Sequence, residues 1–147
     1  AEKMLEIVNK YQVPCEYLEV EVSESSHEMN QEMLAETSNK IRKENIRVVL
    51  DHFGAKDSSF AILALMEFDG LKMDSSLTNI VGNSRSQIVA KAVIDVCRRL
   101  GARVSAAGVE TQDQLNVLKE LGCESVQGSL FNKAITIDTF EVRYMRR

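Results

Sequence analysis

The sequence has 147 residues, 44% of them hydrophobic, and a formal net charge of −4. That length supports one sizeable core, and that charge gives no general attraction for a nucleic acid polymer or an anionic lipid. No run of eighteen apolar residues occurs, so no membrane span is expected, and no charged-then-apolar leader opens the sequence. Three cysteines lie among apolar neighbours without the spacing of a metal cage or a disulfide framework, which predicts reduced thiols and a cytoplasmic protein.

Helical and strand patterns alternate along the chain from its beginning. In chain order the predicted elements are helix 2–10, strand 17–23, helix 29–43, strand 46–51, helix 59–68, strand 70–74, helix 86–100, strand 102–106, a helix begun by the capping box Thr111-Gln112-Asp113-Gln114, and strand 124–127. Helices that alternate with buried strands over short links predict a parallel sheet in a single α/β domain.

Three of the predicted helices end in the same way. Each closes with basic residues and then with a residue that tolerates the left-handed conformation, namely Asn45, Gly101 or Gly122. Cations suit the negative end of a helix dipole, and the short apolar run behind each cap indicates a buried strand. The sequence has neither the G-x-G-x-x-G nor the G-x-x-x-x-G-K signature, and this rhythm alone fits an open sheet and a barrel equally well.

Ionisable residues collect where the predicted strands end, which is where parallel α/β folds place their chemistry. Glu21 lies in the first strand, Asp51 and His52 close the second, and Lys72 and Asp74 belong to the third. Because a carboxylate buried in a strand is costly unless it is paired, Glu21 and Asp51 are either ion-pair partners of Lys72 or ligands of a divalent metal ion. His52 is either a ligand or hydrogen-bond donor at the same place, or a packed side chain.

These strand-end strings, taken in this order, resemble the EAL-domain family, the bacterial cyclic di-GMP phosphodiesterases. The matching strings are Leu18-Glu19-Val20-Glu21-Val22-Ser23-Glu24-Ser25, Leu50-Asp51-His52-Phe53-Gly54, Leu71-Lys72-Met73-Asp74, Ala106-Ala107-Gly108-Val109-Glu110-Thr111 and Val126-Gln127-Gly128-Ser129-Leu130-Phe131. The resemblance implies a TIM-type (βα) barrel. Residues 1–147 would be its carboxyl-terminal portion, with five parallel strands and intervening helices but without the early strands.

The resemblance also implies a reaction and roles for individual residues. The reaction is metal-dependent hydrolysis of one phosphodiester bond of cyclic di-GMP, which gives the linear dinucleotide pGpG. The roles implied are Glu21 and Asp51 (with His52 as a further candidate) as ligands of Mg²⁺ or Mn²⁺, Lys72 as the catalytic lysine that helps to position the attacking water, Asp74 and Gln127 near the substrate, and Glu24 and Glu110 as acids that hold active-site loops.

The chain departs from the family pattern where catalysis needs charge. The second aspartate of the family's D-D-F-G string is His52 here, and the first glutamate of its A-E-G-V-E string is Ala107. We therefore expect a degenerate domain that hydrolyses nothing, binds a divalent metal ion weakly or not at all, and acts in signalling by binding a protein partner or cyclic di-GMP. The alternatives are an active phosphodiesterase once the missing part is joined to it, and a structural fragment without a function of its own.

A barrel without its early strands has two free edges. The first and last strands would present unpaired N–H and C=O groups, and residues such as Val20, Val48 and Leu71 would line a partly exposed inner face. Pairing with a second chain would cover both, so the sequence predicts a homodimer.

Overall fold

The structure is a computed structural model of the chain, and it describes residues 2–23, 30–56 and 58–145. Its strands are β1 Glu19–Ser23, β2 Arg47–Phe53, β3 Gly70–Met73, β4 Arg103–Ala106 and β5 Ser125–Val126. Its helices are α1 Glu2–Tyr11, α2 Gln31–Arg42, α3 Ile62–Leu65, α4 Ser75–Thr78, α5 Ser84–Arg99, α6 Gln112–Leu121 and α7 Ile137–Phe140, with a 3-10 turn at Cys15–Tyr17 and a π-helical turn at Glu141–Met145. All strand pairs are parallel, in the order β1-β2-β3-β4-β5. The predicted α/β class with five parallel strands is confirmed, and the sheet is open within the described residues.

The helix ends follow the predicted signals. Asn45, Gly101 and Gly122 have φ angles of 58°, 78° and 90°, so all three predicted caps adopt the left-handed conformation. The capping box is present at α6, where Thr111 Oγ1 accepts from the Gln114 backbone N–H and the Gln114 side chain accepts from the Thr111 backbone N–H. These local signals fix where each helix stops and the next strand begins.

Several predicted elements are shorter in the structure, and two of them have a local cause. The first strand begins at Glu19 rather than at residue 17, because Cys15–Tyr17 form a 3-10 turn. Helix 59–68 shrinks to the single turn α3, since Met66 is extended and the buried Met66 and Phe68 alternate with an exposed residue. Burial of every second residue is typical of an extended chain. The chain is therefore extended from Met66 onwards, and the helical pattern predicted for 59–68 ends at Leu65.

The apolar face of the sheet packs against helices, which corrects the prediction that Val20, Val48 and Leu71 line the inner face of a barrel. Val48 and Leu71 are fully buried in the core, and the half-buried Val20 packs against it. The core residues that the sheet shares with its helices include Leu50 and Val104 from strands and Leu34, Ile41, Val93, Ile94, Cys97 and Leu118 from α2, α5 and α6.

The opposite, concave face of the sheet carries charge. Glu19 of β1 accepts from Arg47 of the neighbouring strand at 3.4 Å and from Arg103 of β4 at 3.3 Å. Two strands separate β1 from β4, so this contact shows that the sheet curves as a barrel wall does. Gly70 is paired with Arg103, and a Cβ added at Gly70 would lie 3.1 Å from Val49 Cγ2 of the neighbouring strand.

The three thiols are free, as the cysteine pattern predicts. Cys97 is fully buried, and burial raises the pKa of Cys97 and of Cys123 to about 11. Among the described residues, no helix combines the length and the apolar character that a membrane crossing requires.

Candidate functional site

The carboxyl ends of the five parallel strands form one rim, and Asp51, His52, Asp74 and Gln127 lie along it. Ser23 of β1 is paired with Asp51 of β2, and Glu21 lies two residues nearer the amino end of the same strand. Asp74 directly follows β3, and Gln127 directly follows β5. Glu21 and Asp51 therefore share one half of the sheet, as expected if they belong to one site.

Lys72 and Glu21 form an ion pair on the concave face of the sheet. Lys72 Nζ donates a hydrogen bond to Glu21 Oε1 across the intervening strand β2. The Lys72 side chain is 16% exposed and that of Glu21 is 43% exposed. Of the two arrangements that the sequence leaves open for Glu21, the structure shows the ion pair with Lys72.

His52 is placed by an irregularity in β2. The pairing of β2 with β3 shifts between Leu50 and Phe53, and His52 has a φ angle of 58°. This left-handed conformation turns the imidazole towards two carboxylates: His52 Nδ1 lies 3.1 Å from Asp74 Oδ2, and Nε2 lies 3.4 Å from Asp51 Oδ2. The hydrogen bond with Asp74, together with the charge of Asp51, raises the pKa of His52 above its ordinary value. The side chain is 58% exposed, so the interpretation of His52 as a packed residue is wrong.

Asp74 holds His52 and caps α4 at the same time. Its Oδ1 accepts from the Ser76 backbone N–H at 2.8 Å, while its Oδ2 contacts the imidazole. Burial alone would raise the pKa of Asp74, but the hydrogen bonds from Ser76 and His52 outweigh it and lower the pKa below its ordinary value. Both carboxylate oxygens of Asp74 are therefore occupied by groups of the chain itself.

The second half of the rim is built by the loops after β4 and β5. The Gln127 backbone N–H donates to Ala106 O at 2.8 Å, and the Val109 backbone N–H donates to Gln127 O at 3.0 Å. Gln127 and Glu110 are exposed, and the Glu110 backbone N–H donates to the side chain of Gln114. Glu24, the other acid expected to hold a loop, lies outside the described residues.

Sequence reasoning missed the helical turn α4, Ser75–Thr78, which follows β3 directly. Ser76 Oγ donates to Gly54 O at 3.3 Å, so this turn is tied to the end of β2. The string Asp74-Ser75-Ser76 could have revealed it, since an aspartate directly behind a strand is a strong helix N-cap signal.

The described acids Glu21, Asp51 and Asp74 each have a partner within the chain. Glu21 has Lys72 as its cation, and Asp51 and Asp74 share His52. Among the described residues, no three histidine, cysteine, aspartate or glutamate side chains converge in a way that could hold a metal ion.

A family model described as "EAL domain" matches residues 1–134. The chain is 34% identical over 126 residues to the cyclic di-GMP phosphodiesterase NbdA of Pseudomonas aeruginosa, covering 85% of this chain and 16% of that protein. It is 33% identical over 120 residues to the blue light- and temperature-regulated antirepressor BluF of Escherichia coli, covering 81% of this chain and 30% of that protein. The chain thus spans less than a third of the length of either relative.

Among solved structures, the chain superposes on BlrP1 of Klebsiella pneumoniae in its complex with manganese and cyclic di-GMP. The TM-score is 0.81 at 23% sequence identity, over 90% of this chain and 34% of that one. At this identity the likeness shows the fold alone, and it agrees with the partial barrel seen here.

Proposed function

This chain belongs to the EAL domain family, and on that premise we propose that it is the carboxyl-terminal portion, residues 1–147, of a degenerate EAL-type domain. The domain acts in signalling by binding a protein partner, with cyclic di-GMP as the second candidate ligand, and it does not hydrolyse the nucleotide. Its three free thiols suit the reducing cytoplasm, where we place it.

The pairing of the rim acids with cations of the chain carries this proposal. Two-metal hydrolysis needs anionic oxygens that surround two ions roughly 3.5–4 Å apart. Here Glu21 is bound to Lys72, and Asp51 and Asp74 face His52. Ala107 stands where the family string has a glutamate, and its side chain offers no oxygen. The residues present do not fit a two-metal centre, so we expect Mg²⁺ or Mn²⁺ to bind weakly or not at all.

The two relatives, NbdA and BluF, carry names that describe two different functions. One is named a phosphodiesterase and the other an antirepressor, and the chain is nearly as similar to the second as to the first. BlrP1 holds manganese together with cyclic di-GMP. Overall similarity therefore favours neither outcome, and the loss of charge at His52 and Ala107 favours binding without hydrolysis.

The remaining roles carried over from the family are part of the same proposal. They are Glu21 and Asp51 as remnants of metal ligands with His52 beside them, Lys72 as a remnant of the catalytic lysine, Asp74 and Gln127 as nucleotide contacts, and Glu24 and Glu110 as acids that hold loops.

Manganese uptake tests the metal part of the proposal without depending on hydrolysis. Electron paramagnetic resonance of free Mn²⁺ should show weak uptake by the chain or none, because Glu21 is paired with Lys72, and Asp51 and Asp74 face the imidazole of His52. The double variant His52→Asp with Ala107→Glu returns two carboxylates and removes one cation, so it should take up more Mn²⁺ than the parent. Tight uptake by the unaltered chain would contradict the proposal. Calorimetric titration with cyclic di-GMP then separates nucleotide binding from protein binding.

A homodimer is also proposed, since the helices α1 and α7 expose apolar side chains. Ile7 and Tyr11 of α1 are 51% and 67% exposed, and Ile137 and Phe140 of α7 are 77% and 48% exposed. Covering them against a second copy removes apolar area from water. Light scattering at micromolar concentration should give a mass above the 16.5 kDa of one chain, and a monodisperse monomer would refute the dimer.

A further inference from the structure

We propose that the short helix α4 is a positioning element that joins the two halves of the rim, so that a displacement at one half is transmitted to the other. Its residues Ser75–Thr78 lie between the end of β2, which carries His52 and leads into the turn at Gly54, and the loop after β4, which supports Gln127. The coupling concerns contacts inside the chain, and it holds whether the rim binds a nucleotide or a protein.

Three contacts tie α4 to the turn after β2. Asp74, the cap of α4, contacts the imidazole of His52 at 3.1 Å, and Ser76 Oγ donates to Gly54 O. Leu77 packs directly on Gly54, where an added Cβ would lie 2.2 Å from Leu77 Cδ1. Gly54 has a φ angle of 92°, so both its conformation and its lack of a side chain are required. The end of β2 is therefore held through the His52 imidazole, and the turn behind it through the carbonyl oxygen and Cα atom of Gly54.

The other side of α4 touches the loop after β4 just as closely. A Cβ added at Gly108 would lie 2.5 Å from Ser75 Cβ, and Gly108 has a φ angle of 72°. The next residue, Val109, is fully buried and donates to Gln127 O. A Cβ added at Gly128 would lie 1.9 Å from Val109 O, so the loop after β5 packs directly against the loop after β4. Ser75 thus supports both later loops through Gly108.

Close packing without gaps is what lets such contacts transmit a displacement. Gly54, Gly108 and Gly128 all match the family strings, whereas His52 and Ala107 depart from them. The rim has therefore kept the residues that hold its loops together while it lost acids. We infer that the geometry of the rim, rather than hydrolysis, is what these glycines and α4 maintain.

Gly108→Ala tests the coupling, read out by amide chemical shifts in ¹H–¹⁵N spectra. The new methyl group should push Ser75 and move the amides of Gly54 and His52, beyond the loop that carries the substitution. Adding Ser75→Gly removes the colliding Cβ atom and should return the Gly54 and His52 amides towards their original positions. Gly82→Ala is the matched control, because nothing lies within 4 Å of the Cβ built there, and it should leave both halves of the rim unchanged. Shifts confined to residues 107–128, or no recovery in the double variant, would overturn the proposal.

Ser76→Ala gives a milder perturbation from the opposite side, in case Gly108→Ala prevents folding. Loss of the hydroxyl removes the hydrogen bond to Gly54 O, and the coupling predicts shifted amides at Val109 and Gln127 as well. Ser76→Thr restores a hydroxyl and should reverse most of the change. A response limited to residues 52–58 would show that α4 does not join the two halves.

Discussion

Removing Lys72 tests how far the rim depends on cations of the chain itself. Lys72→Met keeps the apolar stem but leaves Glu21 without its ammonium partner on the concave face of the sheet. An exposed ion pair contributes about 0.2–1 kcal/mol, whereas breaking a fully buried one costs about 3–5 kcal/mol. Lys72 is 16% exposed and Glu21 is 43% exposed, so the carboxylate stays partly hydrated. We therefore expect a loss of about 1–2 kcal/mol in the free energy of unfolding.

The matched control for Lys72→Met is Lys91→Met, which breaks an ion pair on the surface of α5. Lys91 and Asp95 are four residues apart, with side chains 43% and 44% exposed, and such pairs contribute about 0.3–0.5 kcal/mol. Urea unfolding followed by circular dichroism at neutral pH measures both variants. If Lys72→Met costs no more than Lys91→Met, the ion pair at the rim is not a structural requirement and the reasoning fails.

Three further predictions concern single residues. Arg42→Met should cost about 2 kcal/mol in urea unfolding, because it removes the guanidinium that Asp69 binds through both carboxylate oxygens, and an unchanged midpoint would contradict this. His52→Asn should abolish a pH-dependent part of stability: the hydrogen bond with Asp74 raises the folded pKa, so this stability is fully present below the ordinary value of 6.5 and is lost as pH rises through the higher folded value. Unfolding curves from about pH 5 to about pH 9 measure that loss, and equal slopes for the two proteins would exclude it. Gly128→Ala should cost at least about 3 kcal/mol or prevent folding, since its Cβ would lie 1.9 Å from a backbone carbonyl oxygen, and a native-like circular dichroism melt would refute this.

Local backbone chemistry made much of the fold predictable from the sequence. The left-handed caps at Asn45, Gly101 and Gly122 and the capping box of α6 depend on residues within one helical turn, so their signals are complete in the sequence. Because those signals mark the ends of the helices, the strands between them could be placed to within a few residues. The predicted helix 59–68 is the exception, since only Ile62–Leu65 are helical.

The faces of the sheet could not be predicted in the same way. Val48 and Val49 are adjacent, point to opposite faces and are both buried, so the apolar pattern does not say which face meets the helices. The charged residues identify the concave face, because Glu19 forms ion pairs there with Arg47 and Arg103. These residues come from strands far apart in the sequence, so their proximity could not be predicted from it.

The position of the candidate residues at one rim was predictable, but the contacts between them were not. Parallel strands bring Asp51 and Asp74 to one rim by topology alone. The contact of His52 with both carboxylates depends on the shift in register between Leu50 and Phe53 and on a left-handed φ angle at position 52. No sequence pattern specified that irregularity, although histidine is among the residues that tolerate this conformation.

Hydrolysis of cyclic di-GMP is the most direct test of the proposal that this chain is catalytically inactive. Incubation of the chain with cyclic di-GMP and Mn²⁺ or Mg²⁺, followed by chromatographic separation of the nucleotides, measures the amount of pGpG formed. Losing one strong electrostatic contact to a transition state costs ~10²–10³ in rate, and the chain departs from the acidic residues of the family strings at His52 and Ala107. We predict no pGpG above a control without protein, and none from His52→Asp with Ala107→Glu in the same chain. Metal-dependent formation of pGpG by the unaltered chain would contradict the proposed function.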